Sequence, residues 1–173
     1  MIYDFTSIGE LLIDFIPKKN NNGKTPAYVQ QIGGAPANVA SILSMLGWKT
    51  TFIGKVGNDH FGRICKEELS KVGVDVSNLI ISDDHNTTLA FVHLDKDGDR
   101  DFTFYRKETA DISLLKEEIL PKTLANSKFF HFGSVSLTQN PAREATIYAV
   151  KQAKKAGAII SYDPNLRLQL WEN

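Results

Sequence analysis

Apolar and polar positions along the chain switch repeatedly between a two-residue and a helical period. Ser7 to Ile16 reads as one strand with a polar interruption, and Tyr28–Ile32 as a second, short one. From Ala35 to Leu46 the apolar residues Ala35, Val39, Ile42, Leu43 and Leu46 recur at helical spacing, which predicts a helix buried on that face and closed by Gly47. Thr50–Val56 is β-rich. Asp59 is placed to cap a helix running to about Val72, where Gly73 stops it. Leu89–Leu94 and Asp101–Arg106 read as a hairpin around the Asp-Gly turn of residues 95–100, with Phe102, Phe104 and Arg106 on one face. Phe129–Phe132 is a core strand. Asn140 and Pro141 are the expected N-cap and first residue of a helix that buries Ala142, Ala145, Ala149, Val150 and Ala153. Its last turns carry Lys151, Lys154 and Lys155, cations that suit a helix C-terminus. A final strand, Ala158–Tyr162, is broken by Asp163-Pro164-Asn165.

This alternation of strands and helices predicts an α/β fold with a largely parallel sheet. Two stretches, about 15–32 and 88–106, interrupt it and read as a small extra β-layer attached to the sheet domain. The 173 residues, 42% hydrophobic and 23% charged, suffice for one sizeable core with such an appendage. A formal net charge of zero with no basic run speaks against nucleic acid and anionic membrane as partners. No apolar run is long enough to span a bilayer. Cys65 is the only cysteine, so no intrachain disulfide can form, and it reads as a buried small residue. With no signal segment at the N-terminus, a cytoplasmic location is expected.

In open α/β sheets ligands gather beyond the carboxyl ends of the strands. Three groups of residues are predicted to meet there. Glu10 and Asp14 lie on or after the first strand. Gly33, Gly34 and Asn38 stand at the first helix, where bare backbone and unsatisfied N–H groups can approach a polar ligand closely. Asp163, Asn165 and Arg167 follow the last strand. Carboxylate, amide and backbone donors together suit a polyhydroxylated molecule, because each hydroxyl both donates and accepts. An arginine at the rim suits phosphate. Taken singly, each has a plainer reading: Asp14 as a turn acid, Asn38 as part of a capped turn, Asn165 as a turn former, Arg167 as a solvated charge. No P-loop occurs, the first strand is not followed by a dinucleotide glycine fingerprint, and no His/Cys spacing fits zinc. The Asp-rich turn at 95–100 lacks the glycine position and glutamate of an EF-hand. His131 reads as a hydrogen-bonded core histidine.

The run Gly33-Gly34-Ala35-Pro36-Ala37-Asn38-Val39-Ala40, followed by Leu46-Gly47 and Gly54-x-Val56-Gly57-x-Asp59-x-Phe61-Gly62, resembles the first signature of the PfkB (ribokinase-like) carbohydrate kinases. The likeness extends through Gly9-Glu10, Asp14-Phe15, Gly73-Val74-Asp75, Phe104-Tyr105-Arg106, Ala110-Asp111 and Asp163-Pro164-Asn165-x-Arg167-x-x-Leu170-Trp171. Within the family this combination is most similar to the fructokinases, with 2-keto-3-deoxygluconate kinases close behind and ribokinases further off. The resemblance implies a ribokinase-like α/β/α sandwich with a β-sheet lid, residues 15–32 and 88–106 supplying the lid. It implies transfer of the γ-phosphoryl group of ATP, with Mg2+, to a sugar hydroxymethyl group. By position, Asp14, Gly33, Gly34 and Asn38 would grip the sugar, while Phe91, Phe104 and Arg106 would cover it from the lid. Asn165 and Arg167 would face the phosphate or an acidic end of the substrate. Family members often dimerise through the lid, so a homodimer is expected.

One departure stands out. The family's second signature, of the type Asp-Thr-x-Gly-Ala-Gly-Asp, does not occur, nor does its Asn-x-x-Glu motif. The resemblance therefore implies that the 173 residues are the N-terminal portion of one ribokinase-like domain, with the catalytic base and most of the ATP and Mg2+ sites elsewhere. The chain alone is expected to be inactive. A reading of another class, a non-catalytic sugar-binding or assembly module, uses the same residues without phosphoryl transfer.

Overall fold

The computed structural model describes residues 3–18, 27–94 and 100–171. Its centre is a five-stranded sheet in the order β5-β4-β1-β8-β9, formed by β1 (Tyr3–Ile8), β4 (Thr50–Gly57), β5 (Leu79–Ser82), β8 (Ser127–Gly133) and β9 (Ile159–Asp163). All its pairings are parallel. Every residue of β4 is buried, as expected for a strand covered on both faces. Side-chain alternation then sends neighbours to opposite layers. Phe5 and Phe52 join Leu69 of α2 (His60–Lys71) and Ala37 and Ala40 of α1 (Ala35–Met45) on one side. Ile8, Ile53 and Phe130 meet Ala145 and Ala149 of α4 (Ala142–Lys155) on the other, with Leu124 of the short α3 (Pro121–Ala125). The result has the parallel sheet that the alternation implied, in the α/β/α sandwich that the resemblance implied.

A second sheet has the order β3-β2-β6-β7, from β2 (Leu12–Lys18), β3 (Ala27–Gly33), β6 (Leu89–Leu94) and β7 (Arg100–Tyr105). Here β2 pairs antiparallel with β3 and parallel with β6, and β6 pairs antiparallel with β7. The stretch read as one interrupted strand over residues 7–16 is therefore two strands in two sheets. The chain leaves the large sheet at Gly9, where a side chain would lie 2.6 Å from the Pro36 ring, and enters the small one at Leu12.

Two local expectations are corrected. On α1 the residues facing the sheet are the small Pro36, Ala37 and Ala40; Ile42 and Leu46 are 55% and 71% exposed, and Val39 and Leu43 half-buried. Close approach of α1 over β1 and β4 selects small side chains, and the larger ones turn outward. At the other end, α4 begins at Ala142 rather than Pro141, and Asn140 gives no cap: its amide donates to the Glu144 carboxylate at 3.1 Å. Strand β5 is only four residues long, too short for a pattern of its own, and was not anticipated. By contrast Asp59 caps α2 as expected, accepting from the Gly62 N–H at 2.7 Å. It also accepts from the N–H and hydroxyl of Thr87. Burial pushes its carboxyl up, but these hydrogen bonds outweigh that and hold it below the usual range. Cys65 is fully buried, and burial pushes its thiol up to about 12. His131 is buried with Nδ1 3.0 Å from the Ser161 hydroxyl. The turn expected at 95–100 falls, but for Arg100, outside the described residues, as does the loop at Asn20–Gly23.

Candidate functional site

Register across the small sheet decides which of its side chains can face the large one. Asp14 is directly opposite Ala90, which is opposite Phe104, so Asp14 and Phe104 share a face, and Phe102, two residues on, shares it too. Phe91 is opposite Phe15 and Thr103 and belongs to the other face, where it stacks on Phe15 with centroids 4.8 Å apart.

Facing the first set is the mouth of α1. Its N-cap, Gly34, has φ 116 and no capping side chain, and its carbonyl accepts the Asn38 N–H at 2.9 Å. A side chain at Gly34 would run into the Glu10 carbonyl, and one at Gly33 into the Asp14 carboxylate. Both glycines are therefore required by the closeness of an acidic residue, as well as by backbone conformation at Gly34. The first helical N–H, that of Ala35, donates to Glu10 Oε1 at 2.9 Å. Burial pushes the Glu10 carboxyl up to about 7. Burial also raises Asp14, and the Arg167 guanidinium opposes that shift.

Between these groups lies a hollow of about 130 Å³ lined by Glu10, Asp14, Gly34, Asn38, Phe102, Phe104, Asn165 and Arg167, with Leu12, Ala35 and Val135 completing the wall. Asn165 stands in the turn after β9 with φ 33, its N–H donating to the Asp163 carboxylate at 3.1 Å. Arg167 is held by the Leu166 carbonyl at 3.2 Å. Three segments distant in sequence thus converge, as read from the chain.

Two of the expected residues are placed elsewhere. Phe91 is on the opposite face of its sheet, for the register reason above. Arg106 points toward the large sheet but is consumed internally. It is 7% exposed; Nε bonds Asp111 Oδ2 at 2.6 Å, Nη1 donates to Thr138 Oγ1 at 2.7 Å and Nη2 to the Val135 carbonyl at 3.2 Å. The other Asp111 oxygen accepts from Thr88 and Thr109. Gly33 lies just behind the lining, against Asp14. Phe102 was missed as a lining residue, although its alternation with Phe104 signalled it. The Arg106–Asp111 pair had no signal, because it joins a strand end to a turn through the fold.

The set has carboxyl oxygens, two amides and one guanidinium around an aromatic cover. It can satisfy several hydroxyls at once and hold an anion at one rim. An α/β sandwich with such a hollow at the carboxyl ends of its strands, partly covered by a second sheet, has the form of a small-molecule site. Residues 4–173 match the family model described as pfkB family carbohydrate kinase, and the chain belongs to that family. It is 44% identical over 167 residues to probable fructokinase-5 of Arabidopsis thaliana, covering 95% of this chain and 52% of that protein. With the fructokinase of Solanum tuberosum it shares 43% over 169 residues, 96% of this chain and 53% of that one. Among solved structures, a fructokinase from Xylella fastidiosa superposes with a TM-score of 0.92 at 35% identity, covering 99% of this chain and 53% of the other. The ATP-bound form of that enzyme gives 0.90, over 99% and 52%. The chain spans about half the length of the relatives it matches.

Proposed function

We propose that this chain carries the sugar-binding half of an ATP-dependent kinase that phosphorylates the hydroxymethyl group of a ketose, with fructose the preferred acceptor. The observation that carries this reading is the hollow itself, where Asp14, Asn38 and the Gly34 backbone face Phe102, Phe104 and Arg167. Asp14 and Asn38 engage sugar hydroxyls. Gly33 and Gly34 allow the close approach. Phe104 and Phe102 cover the ligand, and the small sheet acts as a lid that excludes water. Asn165 and Arg167 face the phosphate side.

One feature favours a neutral ketose over a sugar acid such as 2-keto-3-deoxygluconate. Arg106 is already paired with Asp111 at 2.6 Å, which leaves Arg167, assigned here to the phosphate side, as the one arginine of the hollow, while Glu10 and Asp14 add acidic character to it.

ATP as the donor is supported by the ATP-bound relative. Among the described residues no three His, Cys, Asp or Glu side chains come together to hold a metal, and Mg2+ is assigned with ATP mostly outside these residues. The base that takes the hydroxyl proton is likewise assigned outside these residues, and the chain by itself should not turn over. A homodimer through the small sheet is supported by the exposed Tyr28 and Tyr105, which flank Phe91 on the face turned away from the hollow. A cytoplasmic setting suits the single buried cysteine; no helix among the described residues is long and apolar enough to cross a membrane.

The test is a coupled assay of the full-length protein carrying this chain, with ATP and D-fructose, 2-keto-3-deoxygluconate or D-ribose. Fructose phosphorylation with the highest kcat/KM is expected. Preference for the sugar acid would reverse the substrate assignment, and binding of fructose without phosphoryl transfer would favour the non-catalytic module.

A further inference from the structure

Glu10 is the group in the hollow whose chemistry is least accounted for. It is 4% exposed, and although Oε1 accepts the Ala35 N–H, Oε2 is buried without a hydrogen-bond partner. A half-satisfied buried carboxyl is costly, so its presence calls for a reason. What it holds is the peptide where α1 begins. Its carboxyl bonds Ala35, and its backbone carbonyl occupies the space that a Gly34 side chain would need. Gly34 in turn accepts from Asn38, which lines the hollow one turn along the helix.

We propose that Glu10 is a positioning residue for the sugar site, holding the mouth of α1 ready for the ligand through a carboxylate bond to the Ala35 N–H and loosening it on protonation. The inference rests on the sugar-kinase reading of this hollow.

The charges around Glu10 come from four elements. Arg106 at the end of β7 favours its ionised form, and Asp111 in the following turn disfavours it. These two are bonded to each other at 2.6 Å, so their opposing influences largely cancel. Asp14 on β2 and Arg167 after β9 line the same hollow with opposite charge, and Arg167 lowers the Asp14 carboxyl that burial raises. Burial is left as the main influence and brings the group to about 7, so both forms are populated near neutrality. The ionised form is the stronger acceptor for Ala35 and is drawn to the positive end of the α1 dipole. A ligand that needs an ordered helix mouth binds that form better and expels part of a proton as it binds. Oε2 is already out of water, so the ligand adds little further desolvation to oppose this. A purely structural contact would hold the helix without exchanging a proton.

The experiment is calorimetric titration of the full-length protein carrying this chain with D-fructose between about pH 6 and about pH 8. Affinity is expected to rise roughly three- to tenfold over that range. Near pH 6.5 the heat should depend on the ionisation enthalpy of the buffer, reporting proton release. Glu10→Gln keeps an oxygen for Ala35 and cannot ionise, so its profile should be flat and its heat independent of buffer. A flat wild-type profile with no proton exchange overturns the proposal, as does a Gln variant with the wild-type slope. If the variant does not fold, the wild-type buffer comparison decides alone. Failure of fructose to bind at every pH is a different result from a flat profile at measurable affinity: it removes the sugar-kinase reading and the inference with it.

Discussion

The Arg167 guanidinium lies over the ring of Phe102, its central carbon 5.4 Å from the ring centroid. This cation–π contact joins the small sheet to the turn after β9 across the hollow, so two walls of the site touch each other directly. Cation–π pairs at partly exposed positions are worth about 0.5–1 kcal/mol. A double-mutant cycle of Phe102→Leu and Arg167→Met, read by urea denaturation, should return a coupling of that size. Strict additivity of the two variants would show that the contact contributes nothing.

Gly34→Ala should be among the most damaging single-methyl changes in the molecule. The residue sits at φ 116, and the added carbon would run into the Glu10 carbonyl, which is backbone and cannot rotate away. Strain of this kind costs about 1–3 kcal/mol. Gly47→Ala is the control: it also has positive φ, but nothing lies within 4 Å of the added carbon. Equal losses in denaturation midpoint for the two would mean that backbone conformation alone, and not the approach of Glu10, requires Gly34.

Asn38 lines the hollow while the helix that carries it is capped by Gly34 with no side-chain hydrogen bond. The plain reading of Asn38 as part of a capped turn therefore has no contact to support it. Asn38→Ala in the full-length protein should weaken fructose binding by about 1–3 kcal/mol, the usual consequence of stranding polar groups on a bound ligand. Its effect on stability should be small, because the side chain is exposed. A binding isotherm superposable on that of the wild type would take Asn38 out of the sugar site.

Stability should depend on pH through Glu10 in a defined direction. Burial lifts this carboxyl from its ordinary 4.5 to about 7, so the folded protein keeps a proton that the unfolded chain releases. The stabilisation from that proton is complete below about pH 4.5 and is lost as pH rises through about 7. The gap in denaturation midpoint between wild type and Glu10→Gln should therefore move in favour of the variant over that window and then level off. Asp59, held below the usual range by its bonds to Thr87 and Gly62, acts in the opposite sense: its contribution is present above the ordinary carboxylate range and is lost as pH falls below it. A constant gap between pH 4.5 and 7.5 would refute the assignment for Glu10.

How much of the site could be read in the chain varies by residue. The first helix, its double glycine and Asn38 were legible because a glycine turn running into an amphipathic pattern is a local signal. So were Asp59 as a cap and the alanine face of α4. Asp14 was expected near Asn38 from the rule about carboxyl ends of strands, yet it reaches the hollow from within β2 of the small sheet. Phe91 and Arg106 were misplaced for two different reasons. The faces of a strand are known in relative terms from alternation, but which face meets the hollow depends on the register of β2 against β6 and β6 against β7. Arg106 was on the expected side, yet whether a cation is free depends on what folds beside it, and Asp111 comes from a turn that carries no periodicity.

The chain by itself determined the α/β class, the extra β-layer and the helix mouth, since these are written in spacing between near neighbours, and it carried the family through the likeness of its motifs. Tertiary structure decided the split of the first strand between two sheets, the outward turn of Ile42 and Leu46, the entry of Phe102 into the site and the withdrawal of Arg106 from it. Those outcomes depend on which distant segments are pressed together. Burial and charge pairing are properties of that packing, and no single segment carries them before it folds.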